Sequence, residues 1–303
     1  MSVQAAPVDA SAASTLPAQR SFAWRFMRQV RRRPIESAGG IVILSVIIFA
    51  AGAGFIAPYD YAAQDFAARL QGPSWAHFFG TDSLGRDVFS RVVYGARTSI
   101  LASTSGVLLS GVVGGLLGVS SGLLGGKFDL VLQRVTDGIH SIPLLLLAML
   151  LVVAIGSKLP SLVTVAIALG LVGSTTVNRV VRGSTLAVKA MPYVEAAISL
   201  GASSPRIVAR HVLPNVMAPL IVALSVQFGA FITAEASLSF LGLGVQPPIP
   251  SWGGMLSAEG RSFFKQAPWL ALFPGIAISL TVLAANLVGD ALRDVLDPRQ
   301  RGS

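Results

Sequence analysis

Six stretches of the chain are apolar almost without interruption, near residues 38–57, 99–124, 139–156, 160–178, 216–242 and 269–289. A helix rising ~1.5 Å per residue needs about 20 residues to cross a ~30 Å hydrocarbon layer. The pattern therefore predicts six membrane-spanning helices, the third and fourth joined by little more than "GSKLP". Within the second run a small residue returns every fourth position: Ala102, Gly106, Ser110, Gly114, Gly118, Gly122 and Gly126. Such a stripe lets helices approach closely in lipid, which places this helix inside a bundle or at a subunit interface.

Charge is nearly absent from the runs. Glu235 is the main exception, and counting from Val216 it is expected near the end of its span, where a carboxylate reaches water. A proton or ion relay across the membrane centre then has no candidate residues. Asn178 and Asn286, near span ends, are expected to hydrogen-bond between helices.

Composition agrees with the pattern: 53% of the 303 residues are hydrophobic, 12% are charged and the mean hydropathy is +0.69, the balance of an integral membrane protein. There is no cysteine, so disulfides and thiolate metal sites are excluded, and three histidines (His77, His140, His211) leave little for a His-rich metal centre. The net charge of +9 reflects topology rather than nucleic acid, because the basic residues lie between the apolar runs. Alternate sides hold sixteen and seven Lys and Arg; the richer side contains both termini and segment 179–215, which the positive-inside rule makes cytoplasmic. Ahead of the first run, residues 1–20 read as a cytoplasmic tail. Residues 21–37, with Phe22, Phe26, Met27 and Val30 at helical spacing among arginines, read as an interfacial helix or a basic tail that only sets topology. No short apolar core lies near the start, so the first span is expected to be an uncleaved anchor.

Enzyme signatures are missing. "SGLLGGK" at 121–127 differs from a phosphate-binding loop, with Ser121 where the first Gly belongs and Phe128 where Ser or Thr belongs. There is no H-E-x-x-H, no G-x-S-x-G and no close pair of buried carboxylates.

The loops carry more. In 79–97, "FGTDSLGRDVFSRVVYGAR", Asp82 is the expected cap of a short outer amphipathic helix, with Asp87 and Arg91 as an i,i+4 pair. "GLGVQPPIPSWGGML" at 242–256 reads as a rigid, non-helical loop, with Trp252 and Trp269 as interface aromatics or parts of a docking surface. In the basic loop, Pro192 and Gly201 frame a helix, "PYVEAAISL"; Ser204 and Pro205 open a second that runs to Leu213, ahead of Pro214 and Asn215. Tyr193, Ala196, Ala197 and Leu200 share one side of the first. The pair suits a groove on a partner protein; resting on the bilayer is the equal alternative.

The residues of this loop also carry a resemblance. Glu195, Ala196, Ala197, Gly201, Leu213 and Pro214 match in spacing the cytoplasmic motif of permease subunits of ATP-binding-cassette importers, and His211, where Ile is usual, is similar to the dipeptide and oligopeptide branch. "FGTDSLGRDVFSRVVYGARTSI", "ASLSFLGLGVQPPIPSWGGML" and "GDALRDVLDPR" resemble the C-type permease of dipeptide, oligopeptide and nickel importers, so that the resemblance covers roughly residues 20–299. It implies an all-α, six-span type I importer permease, 38–290, with outer loops 58–98 and 243–268, a coupling loop 179–215 and a cytoplasmic tail 291–303. It implies a bacterial inner-membrane transport subunit that is not itself an enzyme. Its implied partners are a homologous B-type permease, two ATPase subunits that hold ATP and Mg, an extracytoplasmic binding protein and membrane lipid, with no nucleic acid and no cofactor on this chain.

By the same resemblance Glu195 to Gly201 form the coupling helix, with Leu200, His211, Leu213 and Pro214 in the coupling set. Asp82, Arg86, Asp87, Arg91 and Trp252 become candidates for contact with the binding protein or partner permease. The implied cargo is a di- or oligopeptide; nickel, glutathione or another small solute fits the same architecture. A stand-alone secondary transporter or membrane scaffold is the more distant reading.

Overall fold

The computed structural model describes residues 34–156 and 158–296. The expected interfacial helix falls mostly outside these residues; its last four, from Pro34, already belong to the first helix. That helix, α1 (Pro34–Ala51), is followed by a single turn, α2 (Ala53–Ile56). A 3₁₀ turn (Phe66–Ala68) interrupts an ordered loop before α3 (Val88–Leu124). Then come α4 (Gly126–His140), α5 (Leu144–Ile155), α6 (Ser161–Lys189), α7 (Pro192–Ser199), α8 (Ser204–Ile207) and a π-helical turn (Val208–Val212) that runs into α9 (Leu213–Phe240). Short helices α10 (Trp252–Leu256) and α11 (Ala258–Ser262) precede α12 (Trp269–Leu296).

Five of the described helical segments are long and apolar enough to span a membrane, and the bent pair α4 and α5 makes a sixth. The expected boundaries shift in three places. The second span starts at Val88 rather than 99, because the amphipathic stretch expected as a separate outer helix continues into it without a break. The third is not one apolar helix over 139–156: it begins at Gly126 and turns by 94° between His140 and Leu144, where Pro143 has no N–H to continue the ladder. The second helix of the basic loop does not stop at Leu213. It passes through the π turn into α9, the wide turn lying just ahead of Pro214, which removes a backbone donor.

The small-residue stripe on α3 faces α6. A Cβ on Gly114 would stand 2.7 Å from Val177 Cβ and one on Gly118 2.7 Å from Val181 Cβ, so the two backbones meet where a larger residue has no room. Two apolar clusters stack along this axis. One holds Ala102, Val165, Leu169, Phe231 and Leu238; the other, toward the basic end, holds Val177, Val181, Val194, Ile207 and Val212. α1 and α12 pack together on the outside of α9 and α3.

Candidate functional site

The sequence-selected residues fall at opposite ends of the bundle. At the basic end, α7 begins after Met191 in extended conformation, with Pro192 in its first turn, and closes at Gly201. Gly201 has φ +81°; its N–H donates to Ile198 O at 2.9 Å, and Ala202 N–H donates to Ala197 O at 3.0 Å. This is a Schellman closure, which explains why the helix needs glycine one residue past its end. Val194 is fully buried among Val188, Ile207 and Val212 and is the anchor of α7. Glu195, Ala196 and Ile198 face out, Leu200 is 89% exposed and Ala197 is half-buried.

The downstream residues brace this helix. His211, half-buried in the π turn, lies with its ring 5.7 Å from that of Tyr193. Asn215 Nδ2 donates to His211 O at 2.6 Å and to Tyr193 Oη at 3.4 Å. Leu213 and Pro214 are exposed where α9 starts. The motif is thus one unit: α7 presents a surface, and the segment from His211 to Asn215 sets its angle.

Behind it runs a polar seam that the apolar pattern concealed. Asp129 takes Arg182 in a two-pronged pair, 2.6 Å from both Nε and Nη2, and also accepts from Ser121. Gln133 Nε2 donates to Ser121 Oγ at 2.8 Å, Asn178 Nδ2 approaches Gln133 Oε1 at 3.3 Å, and Arg179 pairs with Asp137 at 2.8 Å. His140 Nδ1 meets Thr175 Oγ1 at 3.3 Å. Positions 129, 133, 136 and 140 are the polar face of α4 laid against α6, as Asn178's expected helix-to-helix role requires. Their 4-3-4 spacing was the available signal.

At the opposite end the loop 57–87 and α10 form a cap. Asp82 accepts from the N–H groups of Leu84 and Arg86, both at 2.9 Å, and from Arg86 Nε at 2.6 Å, with Arg91 Nε at 3.5 Å. The helix cap is Asp87 rather than Asp82, since Asp87 Oδ2 accepts from Ser90 N–H at 2.7 Å while Oδ1 lies 3.0 Å from His77 Nδ1. Arg91 accordingly turns to Asp82 and to Tyr61 O, at 3.1 Å, instead of forming the expected i,i+4 pair with Asp87.

The stretch 242–256 is helical at its end, where Ser251 caps α10. Trp252 is 2% exposed, wedged among Ala50, Ala96 and Val92, its indole N–H donating to Val92 O at 2.9 Å. Trp269 donates to Thr81 O at 3.1 Å. Asp82, Arg86, Asp87, Arg91 and Trp252 are largely buried and hold the cap's shape, while Arg86 and Arg91 also line a cavity of about 450 Å³ between the cap loop and 242–257.

Glu235 also departs from expectation. It is fully buried, not water-exposed, because α10 packs over it and α3 lies alongside. Ser239 Oγ donates to its Oε1 at 2.7 Å. Among the described residues no three His, Asp or Glu side chains gather as a metal-holding group.

The sequence profile of the binding-protein-dependent transport system inner membrane component matches residues 114–302, and that of the N-terminal TM domain of oligopeptide transport permease C matches 21–73. The chain belongs to the first of these families, and the resemblance drawn from its motifs is borne out. Its relatives include the glutathione transport system permease GsiD of Pectobacterium atrosepticum, 41% identical, covering 94% of this chain and 96% of that protein. The dipeptide transport system permease DppC of Alkalihalophilus pseudofirmus is 40% identical over 92% and 90% of the two chains. The probable D,D-dipeptide permease DdpC of Escherichia coli is 41% identical over 89% of each. An inward-facing MetNI methionine ABC transporter structure shares 17% identity and a TM-score of 0.48, covering 65% of this chain and 93% of that one, and adds nothing to the assignment. The fold is that of a type I importer permease, and the protein resides in the inner membrane.

Proposed function

We propose that this chain forms, with a homologous B-type permease, the translocation path for small peptides, di- or oligopeptides or glutathione, driven by two ATPase subunits that bind ATP and Mg. A binding protein delivers the cargo at the cap, and both termini and α7 lie in the cytoplasm, as the sixteen-to-seven distribution of basic residues supports. The observation that carries the reading is α7. It is a short helix held by one buried side chain, closed by Gly201, and turned outward with Leu200 almost fully exposed. An exposed apolar tip on a firmly oriented knob is what a groove in an ATPase recognises. Closure of the ATPases then moves α7, and through the packing of Val194 on Ile207 and Val212, in the segment that runs on into α9, rocks the bundle.

Gentle solubilisation of the tagged chain from its native host tests this. Copurification of a second permease and ATPases is expected, and recovery of this chain alone, under conditions that preserve other importers, overturns it. Gly201→Glu should retain the assembled complex yet lose ATP-driven uptake of a labelled dipeptide at least tenfold.

A further inference from the structure

α4 is amphipathic in the reverse sense to a helix on a water-soluble protein. Asp129, Gln133, Thr136 and His140 turn inward and bond to Ser121 of α3 or to Arg182, Asn178 and Thr175 of α6. Phe128, Val131 and Val135, on the far side of the same helix, are exposed. Polar groups toward the bundle and apolar groups away from it is the order that lipid imposes.

The bend fixes where α4 lies. α5 shares a core cluster with α6, through Ala148 and Val152 beside Val165 and Leu169, and α4 is turned from α5 by 94°. From Asp129 to His140 α4 is ~16 Å long, yet the partners of these two residues, Arg182 and Thr175, stand only ~10 Å apart along α6. α4 therefore crosses α6 obliquely and stays near the basic end. Arg179 and Asp137, paired at 2.8 Å and each about half-exposed, mark the level at which this crossing meets headgroups and water.

At that level the charges of α4 are sorted. Its carboxylates are engaged by α6, Asp129 by Arg182 and Asp137 by Arg179. Lys127 and Arg134 are exposed, two turns and ~10 Å apart along the axis, on a strip beside the apolar face. Among the described residues neither is held in an ion pair. Two outward cations at the edge of an apolar strip match a lipid whose headgroup is negative and whose acyl chains lie alongside.

We infer that the outer face of α4 binds anionic phospholipid in the leaflet at the basic end of the bundle. Lys127 and Arg134 take the phosphate groups, and Phe128, Val131 and Val135 take the upper parts of the acyl chains. The two-pronged pair of Asp129 with Arg182 ties this seat to α6.

The chain contains no cysteine, so Val131→Cys gives α4 a single site for a bimane label, the unaltered chain serving as blank. The protein, purified with whatever subunits accompany it, is placed in phosphatidylcholine nanodiscs that carry a minor share of brominated phosphatidylglycerol or of brominated phosphatidylcholine. Quenching by the anionic lipid is expected to be at least threefold stronger at low salt and to lose its advantage at high salt. The preference should vanish in Lys127→Gln with Arg134→Gln, at an unchanged thermal midpoint because both side chains are exposed. It should survive in Lys127→Arg with Arg134→Lys, and in Lys265→Gln at the opposite end. Quenching by neither lipid overturns the inference, because another protein surface then covers α4. Equal quenching by both overturns it too, since the face then touches lipid without selecting charge, as does a preference that persists in the double Gln variant. The readout needs no cargo and no ATP, so a failure of the function proposed above leaves it unaffected.

Discussion

Two short helices, α7 and α10, sit at opposite ends of the same bundle and are built in opposite ways. α10 is buried: Trp252 fills a pocket between α1 and α3, Ser251 caps the helix, and beside it Asp82 collects four donors from a loop and two arginines. α7 is held by Val194 and its own glycine closure, and most of its side chains face out. One end spends its polar groups on internal satisfaction, which fixes shape. The other leaves apolar surface unspent, which suits docking. Damage to the cap should therefore appear as lost stability, and damage to α7 as lost coupling in a stable protein.

The largest effect is expected from Asp82→Ala. It removes the acceptor shared by the Leu84 and Arg86 N–H groups and the Arg86 and Arg91 guanidinium groups, at a cost of about 3–5 kcal/mol, measured as a fall in thermal midpoint in detergent and in accumulation in the membrane. Trp252→Ala should follow closely, at about 3–5 kcal/mol for an emptied aromatic site; a change below 1 kcal/mol would show that the cap does not clasp α1 to α3. Val194→Ala loses two buried carbons and should cost about 1.5–2 kcal/mol. It is expected to reduce both stability and uptake.

Gly201 separates conformation from contact. A Cβ there meets nothing within 4 Å, so Gly201→Ala is opposed only by its φ of +81°, a penalty of about 1–2 kcal/mol. Gly201→Asn should keep most uptake because Asn accepts the left-handed region; equal loss from Ala and Asn would mean that the partner surface, not the backbone, excludes a side chain. The smallest effect on the isolated subunit belongs to Leu200→Ala, within about 0.5 kcal/mol because the side chain is exposed. Its uptake and its hold on the ATPases should nevertheless drop severalfold, and unchanged uptake would remove Leu200 from the docking surface.

Much of this was legible in the residues. Runs of apolar positions predicted the spans, the every-fourth small residues predicted the face that α3 turns to α6, and Pro192 with Gly201 framed α7 to within a residue. These are local or periodic signals, set by backbone preference and by what lipid accepts, and a sequence states them directly. Tertiary structure decided the rest. Asp82 and Asp87 stand five residues apart and both can cap; only the fold of loop 57–87 assigns one to the arginines and the other to α3. Glu235 reads as a water-reaching carboxylate until α10, some 17 residues later, folds back over it. The 94° turn at Ser141–Pro143 lay inside an apolar run that composition alone makes one helix, and only the contact of His140 with Thr175 ties it to α6. A sequence records which groups need partners, but distant segments supply those partners, and only their meeting determines which group is buried, which is bonded and which faces out.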